Sequence, residues 1–461
     1  MKMKKKLFLI CVILMLLLVL NKAYAYPTVY PKGLTIDEPS KTYDGYTIFK
    51  HTYFDERGKP TGEDIDMIDM EGNVVHKWEN VGYTLHYDML DNGHIVYGLF
   101  LHQCPGGGCP INGEKPPVAG NLRALIERDW DNNIVWTYEN DHLHHDVDVL
   151  PNGNIIATFY TELPKELNEQ VKGGISGTEA KGGIIYTDII RMINRNGDIL
   201  WEWVPYKQLN ISDYPLNPLI TRNHWPYVNH AKYLPEGNPF NGRESVLISM
   251  RLADTLLIVD METKKVVWEW GKGELSQQHE PLLLDNGNIL VFDNNNQRKQ
   301  DALWLHFSEV VEVNPKTSDI VWAYYGGEQK GSPNGFLFFT PIGGFIQRLP
   351  NGNTLISECW GGGRIFEVTP EKEIVWEYVA GINGITTIQR YKQSEVNWTQ
   401  TLPPARPTGK PLGGRKIVGG REIIEKTPAL YLIISIVGWV IALGCLWVLV
   451  AKIKRKKEKD E

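Results

Sequence analysis

What this sequence lacks excludes several classes of protein. Positive charge is not in excess: 48 Lys and Arg stand against 55 Asp and Glu, a formal net charge of −7. Five lysines lie in the N-terminal leader and a net three positive charges in the C-terminal tail, so the remainder carries about −15. A body this acidic suits neither nucleic acid nor an anionic membrane surface, and any anion it binds must be held by local donors. Cysteine is scarce, five in 461 residues, with Cys11 and Cys445 in apolar terminal segments. A disulfide-dense scaffold is therefore excluded. Cys104 and Cys109, which bracket Pro-Gly-Gly-Gly, are the one candidate disulfide for an exported protein, and Cys359 reads as a lone thiol in a strand. No long amphipathic helix is evident between the two ends. No glycine run stands in the strand-to-helix context that cradles a nucleotide phosphate; 106–108 and 361–363 both lack it. No cofactor is expected. A metal set drawn from His144, His145 and His279 has no Asp or Glu to complete it.

The ends read as targeting segments. Met1 to Lys6 is basic, Leu7 to Leu20 is apolar, and Ala23-Tyr24-Ala25 is a small-x-small cleavage pattern. Residues 1–25 are thus expected to be a secretory signal, followed by a lead-in over 26–43. Residues 429–451 are an apolar run of membrane-spanning length. The basic tail 452–461 follows at once, which keeps the tail cytoplasmic and the body outside. A Pro/Gly-rich tether over 393–428 joins the two. Asn210 and Asn397 stand in Asn-x-Ser/Thr context.

Between the ends there is a repeat. Six segments close a hydrophobic strand with tryptophan: Trp78, Trp136, Trp201, Trp268, Trp322 and Trp376, spaced 54 to 67 residues apart. Hairpins fall between them, with turns at Asp91-Asn92-Gly93, Pro151-Asn152-Gly153, Asp285-Asn286-Gly287 and Pro350-Asn351-Gly352. A longer turn separates Pro235 from Glu244. Each repeat therefore holds four short up-and-down strands, and such units repeated radially make a β-propeller. The fold class expected is all-β, a six-bladed propeller over 44–392. The first blade lacks an upstream strand, which Ile385 to Arg390 would supply.

Asn-Gly between apolar runs predicts a two-residue turn with positive φ at both positions. Counting outward from such turns, and aligning the longer one, predicts a ring of inner-strand positions at one mouth of the torus. These are Leu85, His145, Asn229, His279 and Gly344, with Phe100, Tyr160, Arg251, Asn294 and Cys359 opposite. His145 should face Tyr160, Asn229 should face Arg251, and His279 should face Asn294. Arg251 is the most telling member. A desolvated guanidinium wants an anion, no acidic residue occupies the ring, and so the anion is a ligand. His86 and His230 sit one position off the ring and read as packing or supporting residues. His142 and His224 read as loop residues, while His144 shares the ambiguity of its neighbour.

In order, Trp225-Pro-Tyr-Val-Asn-His-Ala-Lys-Tyr-Leu234, Ile248-Ser-Met-Arg251, Gln278-His279 and Phe292-Asp-Asn294 resemble the exported, nucleotide-independent arylsulfate sulfotransferase family. Ser357-Glu358, Gly363-Arg364-Ile365-Phe366-Glu367-Val368 and Trp376-Glu377-Tyr378 extend the match, which covers roughly 44–390. The resemblance implies a six-bladed propeller that moves a sulfuryl group from an aryl sulfate to a phenol through a sulfohistidine. It implies that His279 is the nucleophile, and that Arg251, Asn229 and His145 hold sulfuryl oxygens or assist proton transfer. It also shows departures. Tyr227 stands where the family has histidine, offering instead a phenol of reference pKa about 10 as proton donor or acceptor. The lead-in is too short for the N-terminal sandwich of larger relatives. The disulfide found near the nucleophile in some relatives has no counterpart, since Cys104 and Cys109 lie on another blade.

These residue types suit the chemistry. Sulfuryl transfer resembles phosphoryl transfer, in which catalysis is mostly positioning and charge stabilisation. Arg251 presents a planar fork to two oxygens. A neutral His279 attacking sulfur divides one displacement into two. Phenolates leave readily, which restricts donors to aryl esters. Two other functions use the same features: a noncatalytic propeller that binds small anions at its basic mouth, and a quinoprotein-like redox propeller. Six repeats and the lack of a vicinal cysteine pair count against the redox propeller. A sulfatase is excluded because Cys104 and Cys109 lack a Cys-x-Pro-x-Arg context.

Overall fold

A computed structural model describes residues 32–54, 60–101, 118–297, 307–326, 338–359, 363–381, 387–392, 394, 402, 403 and 405. The expected signal, the membrane span, the basic tail, Asn397 and the Cys104–Cys109 pair lie outside the described residues. Among the described residues no helix is long and apolar enough to cross a membrane.

The strands follow the repeat. After β1 (Gly33–Asp37), blade 1 contains β2 (Tyr46–Phe54), β3 (Pro60–Ile68) and β4 (Val74–Trp78). Blade 2 is β5 (Thr84–Met89), β6 (Ile95–Phe100), β7 (Leu122–Arg128) and β8 (Ile134–Glu139). Blade 3 is β9 (Leu143–Val149), β10 (Ile155–Glu162), β12 (Tyr186–Ile193) and β13 (Ile199–Trp203). Beside it β11 (Gly173–Ile175) pairs in parallel with β14 (Leu216–Thr221). Blade 4 is β15 (Val228–Leu234), β16 (Ser245–Met250), β17 (Thr255–Asp260) and β18 (Val266–Trp270). Blade 5 is β19 (His279–Leu283), β20 (Ile289–Asp293), β21 (Glu309–Val313) and β22 (Ile320–Tyr324). Blade 6 is β23 (Phe345–Arg348), β24 (Thr354–Glu358), β25 (Arg364–Val368) and β26 (Ile374–Val379). Finally β27 (Ile388–Tyr391) returns to pair with β2 as the innermost strand of blade 1. The molecule is an all-β, six-bladed propeller of four-stranded blades. Two features extend the expectation. The lead-in supplies β1, a fifth strand on the outer edge of blade 6. The start of the expected tether packs on blade 1, where Ala405 O accepts the Met70 amide and Pro403 O accepts the Tyr46 hydroxyl.

The middle strands are buried along their whole length because both faces of a blade are covered by its neighbours. β16, β17, β20 and β25 are buried at every residue. The described core accordingly divides into six clusters, one between each pair of adjacent blades. The outer strands face solvent, and β8 is largely exposed.

The turns differ from expectation. The amides of Gly93, Gly153, Gly287 and Gly352 donate to the carbonyls of Leu90, Leu150, Leu284 and Leu349. Those leucines donate in turn to His94, Asn154, Asn288 and Asn353. Each loop therefore has three residues, a β-turn closed by a left-handed glycine, with φ between 81 and 89° at the four glycines. Asparagine contributes through its side chain. Asn92, Asn152, Asn286 and Asn351 each accept, through Oδ1, the amide two residues on. The extra loop residue shifts the ladder by one, so Leu283 pairs with Ile289.

The tryptophans have a shared task. Trp78, Trp136, Trp201, Trp268, Trp322 and Trp376 donate their indole N–H to carbonyls of Asp129, Arg195, Met261, Pro315, Pro370 and Met70, at 2.7 to 3.1 Å. Each acceptor lies in the turn before the outermost strand of the next blade, and the sixth bond returns to blade 1. Nearer the axis, carboxylates satisfy the open edges of inner strands. Asp88 accepts the Val149 amide, and Asp146 and Asp148 accept those of Ala231 and Tyr233.

Trp376 is fully buried, so Trp376→Phe leaves the Met70 carbonyl without its donor and should destabilise the propeller by about 1–3 kcal/mol. The solvent-side bond of Trp322 should be worth less, under about 1 kcal/mol in Trp322→Phe. Urea unfolding of the two variants checks both the ring and the ranking.

Candidate active site at the axial mouth

Inner strands β9, β15 and β19 begin at the same mouth of the torus. His145, Asn229 and His279 lie within their first residues, and Arg251 and Asn294 immediately follow the returning strands β16 and β20. The expected pairings are not backbone partners. His279 is opposite Phe292, and the register slips after it; Val228 is opposite Met250, with Asn229 in a bulge. His145 lies in another slip, between His144, opposite Thr158, and Val147, opposite Ala157. Three-residue turns and these bulges account for the difference: each extra residue changes which side chain faces inward. His145, Tyr227 and Glu280 all have positive φ, at 52, 66 and 46°, so the mouth holds backbone conformations that unbranched ladders avoid.

His279 nevertheless meets Asn294 through side chains, with Nδ1 2.5 Å from Oδ1. Asn294 spends both amide hydrogens on carbonyls, those of Thr340 at 2.8 Å and Gly343 at 2.6 Å. Its oxygen therefore faces the imidazole as an acceptor, and the hydrogen sits on His279 Nδ1. Nε2 carries the lone pair, lightly capped by the Gly343 amide at 3.3 Å. Gly343 and Gly344 make this approach possible: both have positive φ, and a Cβ on Gly344 would lie 2.6 Å from the Phe292 ring. Burial, then the Arg251 charge, then His230, hold the His279 pKa well below the ordinary histidine value. The group is a neutral imidazole of fixed tautomer at pH 7.

Arg251 is half-buried. Its Nη2 donates to Gln277 Oε1 at 2.5 Å, and its guanidinium lies 5.4 Å from the centre of the Tyr227 ring. The buried Nε–H has no hydrogen-bond partner among the described residues. Its amide pairs with Tyr227 O at 2.9 Å, so Tyr227 rather than Asn229 is its neighbour across the hairpin. Asn229 donates from Nδ2 to Gln278 O at 2.8 Å, which steadies the residue before His279. His145 is not beside Tyr160; its Nε2 is 3.1 Å from the Tyr227 hydroxyl, on the next blade. Burial and the nearby His144 and Arg251 lower the His145 pKa well below normal, and burial raises that of Tyr227. His145, Tyr227, Arg251, Asn229 and His279 are thus drawn from three consecutive blades and converge at one mouth.

The other ring positions do not join them. Phe100 is core, Tyr160 donates to Asp141 O and stacks on His142, and Cys359 is a buried free thiol whose pKa burial pushes up to about 12. Leu85 packs at the edge of the blade 2–3 core.

Two buried groups extend beyond the expected residues. Below the mouth, His230 stands 6.4 Å from the His279 ring, with Nδ1 3.3 Å from Asp146 and Nε2 3.2 Å from Glu280. Burial opposes charge on His230 and Lys232, but Asp146 and its neighbours raise both pKa values. The signal was available: His86-x-Asp88, Asp146-x-Asp148 and His230-x-Lys232 repeat on alternate inner-strand positions. The second group is His144, His224 and Asp188, all fully buried with potential ligand atoms within 4.8 Å of one another. His224 lies in a loop between β14 and β15, as expected, but it is fully buried, with Nε2 2.8 Å from Asp188 Oδ1. An acidic partner for His144 does exist, contrary to expectation, but it is joined by His224 and not by His145 or His279. Asp188 sits in an apolar strand, far in sequence from every histidine it meets, and no spacing marks it.

The family described as arylsulfotransferase (ASST) matches residues 123–381, more than half of the chain. No curated protein matches. Among solved structures, a protein of unknown function from Bacteroides caccae is 13% identical, covers 76% of this chain and 100% of its own, and has a TM-score of 0.45. One from Desulfotomaculum acetoxidans is 12% identical, with coverages of 76% and 99% and a TM-score of 0.40. At such TM-scores the likeness decides nothing further.

The depressed imidazoles predict a pH dependence of stability. His86, His145 and His279 are held neutral in the fold, mainly by burial, yet in the unfolded chain they protonate near pH 6.5. The unfolded state therefore binds more protons below pH 6.5, and each such group removes about 1.4 kcal/mol of stability per pH unit there. Between pH 6.5 and 5 the stability of His145→Gln should therefore gain on that of the wild type by up to about 1.4 kcal/mol per pH unit, and above pH 7 the difference between the two urea midpoints should be constant.

Proposed function

The chain belongs to the arylsulfotransferase family, and from that premise we propose that it transfers a sulfuryl group from an aryl sulfate to a phenol through a sulfohistidine at His279, without a nucleotide. One observation carries this proposal above the others. The imidazole of His279 is neutral, its Nδ1 hydrogen is anchored by Asn294, and its Nε2 lone pair is presented at the mouth that holds Arg251. A noncatalytic anion site needs the guanidinium but not a nucleophile of fixed tautomer.

In the donor half-reaction Nε2 attacks sulfur, the Nε2–S bond forms, and the S–O bond to the aryl group breaks with its electron pair on oxygen. Arg251 offers its Nε–H, which has no hydrogen-bond partner among the described residues, to a sulfuryl oxygen, where charge must be held through the transition state. The Gly343 amide, now weakly on Nε2, is placed to donate to a second oxygen once sulfur occupies that nitrogen. In the acceptor half-reaction a phenol oxygen attacks sulfur and the pair returns to Nε2. His145 and Tyr227 stand on the Arg251 side of the mouth and manage the phenolic proton. Asn229 holds Gln278 and keeps a second amide hydrogen for the ligand.

The substrates are small aryl sulfates and phenols. The propeller works outside the cytoplasm, tethered by the apolar run over 429–451. Asn210, exposed on the surface, is open to glycosylation in a eukaryotic secretory pathway.

Purified full-length protein incubated with a nitrophenyl sulfate should release nitrophenolate in proportion to added phenol. His279→Asn should abolish both release and an acid-labile sulfo-adduct, and Arg251→Gln should lower kcat by roughly 10²-fold or more. Binding of the ester without turnover in the wild type would instead identify an anion-binding propeller.

A further inference from the structure

We propose that Asp188 and His144, through a single chain of hydrogen bonds, hold His145 and Tyr227 in one fixed arrangement and so make the Tyr227 hydroxyl the acid–base group for the aryl oxygen. The proposal rests on the sulfuryl-transfer reading above and adds two positioning residues to it.

Each link follows from the one before. Asp188 Oδ2 accepts the backbone amides of Tyr227 and Val228, at 2.9 and 3.0 Å. Oδ1 faces two imidazole nitrogens, His224 Nε2 at 2.8 Å and His144 Nε2 at 3.1 Å. A carboxylate has only acceptors to offer, so both nitrogens carry hydrogen. His144 Nε2 also lies 3.1 Å from the carbonyl oxygen of Phe159, which again requires N–H there. The lone pair of His144 is then on Nδ1, which stands 2.9 Å from His145 Nδ1. That nitrogen must donate, which leaves the lone pair of His145 on Nε2. The Tyr227 hydroxyl, 3.1 Å away, donates to it. The chain runs from a buried carboxylate on β12, through two histidines on β9, to a phenol at the entrance of β15. Gly120 permits the last turn: the His145 amide donates to Gly120 O, and a Cβ on Gly120 would stand 2.4 Å from the imidazole.

A metal ion held by His144, His224 and Asp188 is the competing use of these atoms. It would need a lone pair on His144 Nε2, the nitrogen that also meets the Phe159 carbonyl. The hydrogen-bond chain accounts for both contacts at once.

The proton balance closes over one cycle. In the donor half-reaction the departing phenolate takes the proton of Tyr227, which is left as a tyrosinate beside the Arg251 guanidinium. In the acceptor half-reaction the attacking phenol gives its proton back to Tyr227 Oη. His145 stays neutral throughout, its Nε2 lone pair aiming the Tyr227 hydroxyl and its Nδ1–H held by His144. No other reactant is required. A phenol exchanging protons with phenols of similar acidity also gives a physical reason for tyrosine at this position.

The test uses the full-length chain in detergent and two readouts. The first is the ¹⁵N shift of the His145 imidazole, which reports tautomer whether or not the protein turns over. In the wild type Nδ1 should carry the hydrogen. Asp188→Asn sets an amide NH₂ against His144 Nε2, which the Phe159 carbonyl still holds as N–H, so the order beyond is loosened and His145 should show both tautomers. Hydrogen on Nε2 in the wild type, or no change in the variant, overturns the proposal. The second readout is transfer to a series of phenols. Asp188→Asn and His144→Gln should lower kcat about 10²-fold for an unactivated phenol, with little change in KM, and the loss should shrink for acidic nitrophenols. An equal loss for every acceptor overturns the acid–base role, and His144→Gln alone decides this if Asp188→Asn does not fold. One tightly held transition metal per chain by elemental analysis also overturns it. A wild-type chain with the expected tautomers but no transfer would sink the sulfuryl-transfer reading and the acid–base role, leaving only the hydrogen-bond chain.

Discussion

Every blade of this propeller is tied to the next by an indole N–H that reaches a carbonyl in a turn of its neighbour, and six such bonds close on themselves. The rest of the molecule depends on that closure. A lone four-stranded sheet with two apolar faces has nowhere to bury them; six arranged in a ring bury each face against the next. A hydrogen bond of this kind contributes only about 1 kcal/mol net. Its importance lies in direction. It sets the angle at which adjacent blades meet, and therefore where the inner strands deliver their side chains.

The inner radius is held by the same logic with different groups. Carboxylates and amides of one blade accept or donate to the open strand edge of the next: Asp88 to Val149, Asp146 to Ala231, Asp188 to Tyr227 and Val228, Asn229 to Gln278, Asn294 to Thr340. The site is built from this stitching rather than added to it. Asn294 joins blades 5 and 6 and thereby orients His279. Asp188 joins blades 3 and 4 and thereby orients His144. Asn294 and Asp188 are hydrogen-bonded through both of their side-chain heteroatoms, so they are rigid, and rigidity is what an electrostatic site needs. The buried Arg251 Nε–H, by contrast, has no hydrogen-bond partner among the described residues.

Much of the architecture was legible before any coordinate. The Trp repeat marked six outer strands because each blade needs one indole at one place. The Asn-Gly turns marked the inner hairpins because a left-handed residue is required there, although asparagine serves through its side chain and not through a left-handed backbone. Counting from those turns brought His145, Asn229, His279 and Arg251 to one mouth. It put His279 with Asn294, whose side chains do meet, but misassigned the partners of His145 and Asn229, since an extra loop residue and a bulge each shift a strand of period two. Tyr160 and Arg251, expected beside His145 and Asn229, stand elsewhere, and Tyr227 occupies the place between them. Asp188 gave no local signal at all, being one acidic residue in an apolar strand.

From the order of its residues alone this chain specifies its period, its outer tryptophans and the cluster of imidazole and guanidinium groups at the open ends of the hairpins. These are local or periodic properties, and local chemistry suffices to impose them. Which nitrogen of each histidine holds the hydrogen, which phenol meets which imidazole, and which carboxylate lies beneath were decided only when blades far apart in sequence came together. A tautomer is set by the group at the other end of the hydrogen bond, and here that group almost always belongs to another blade.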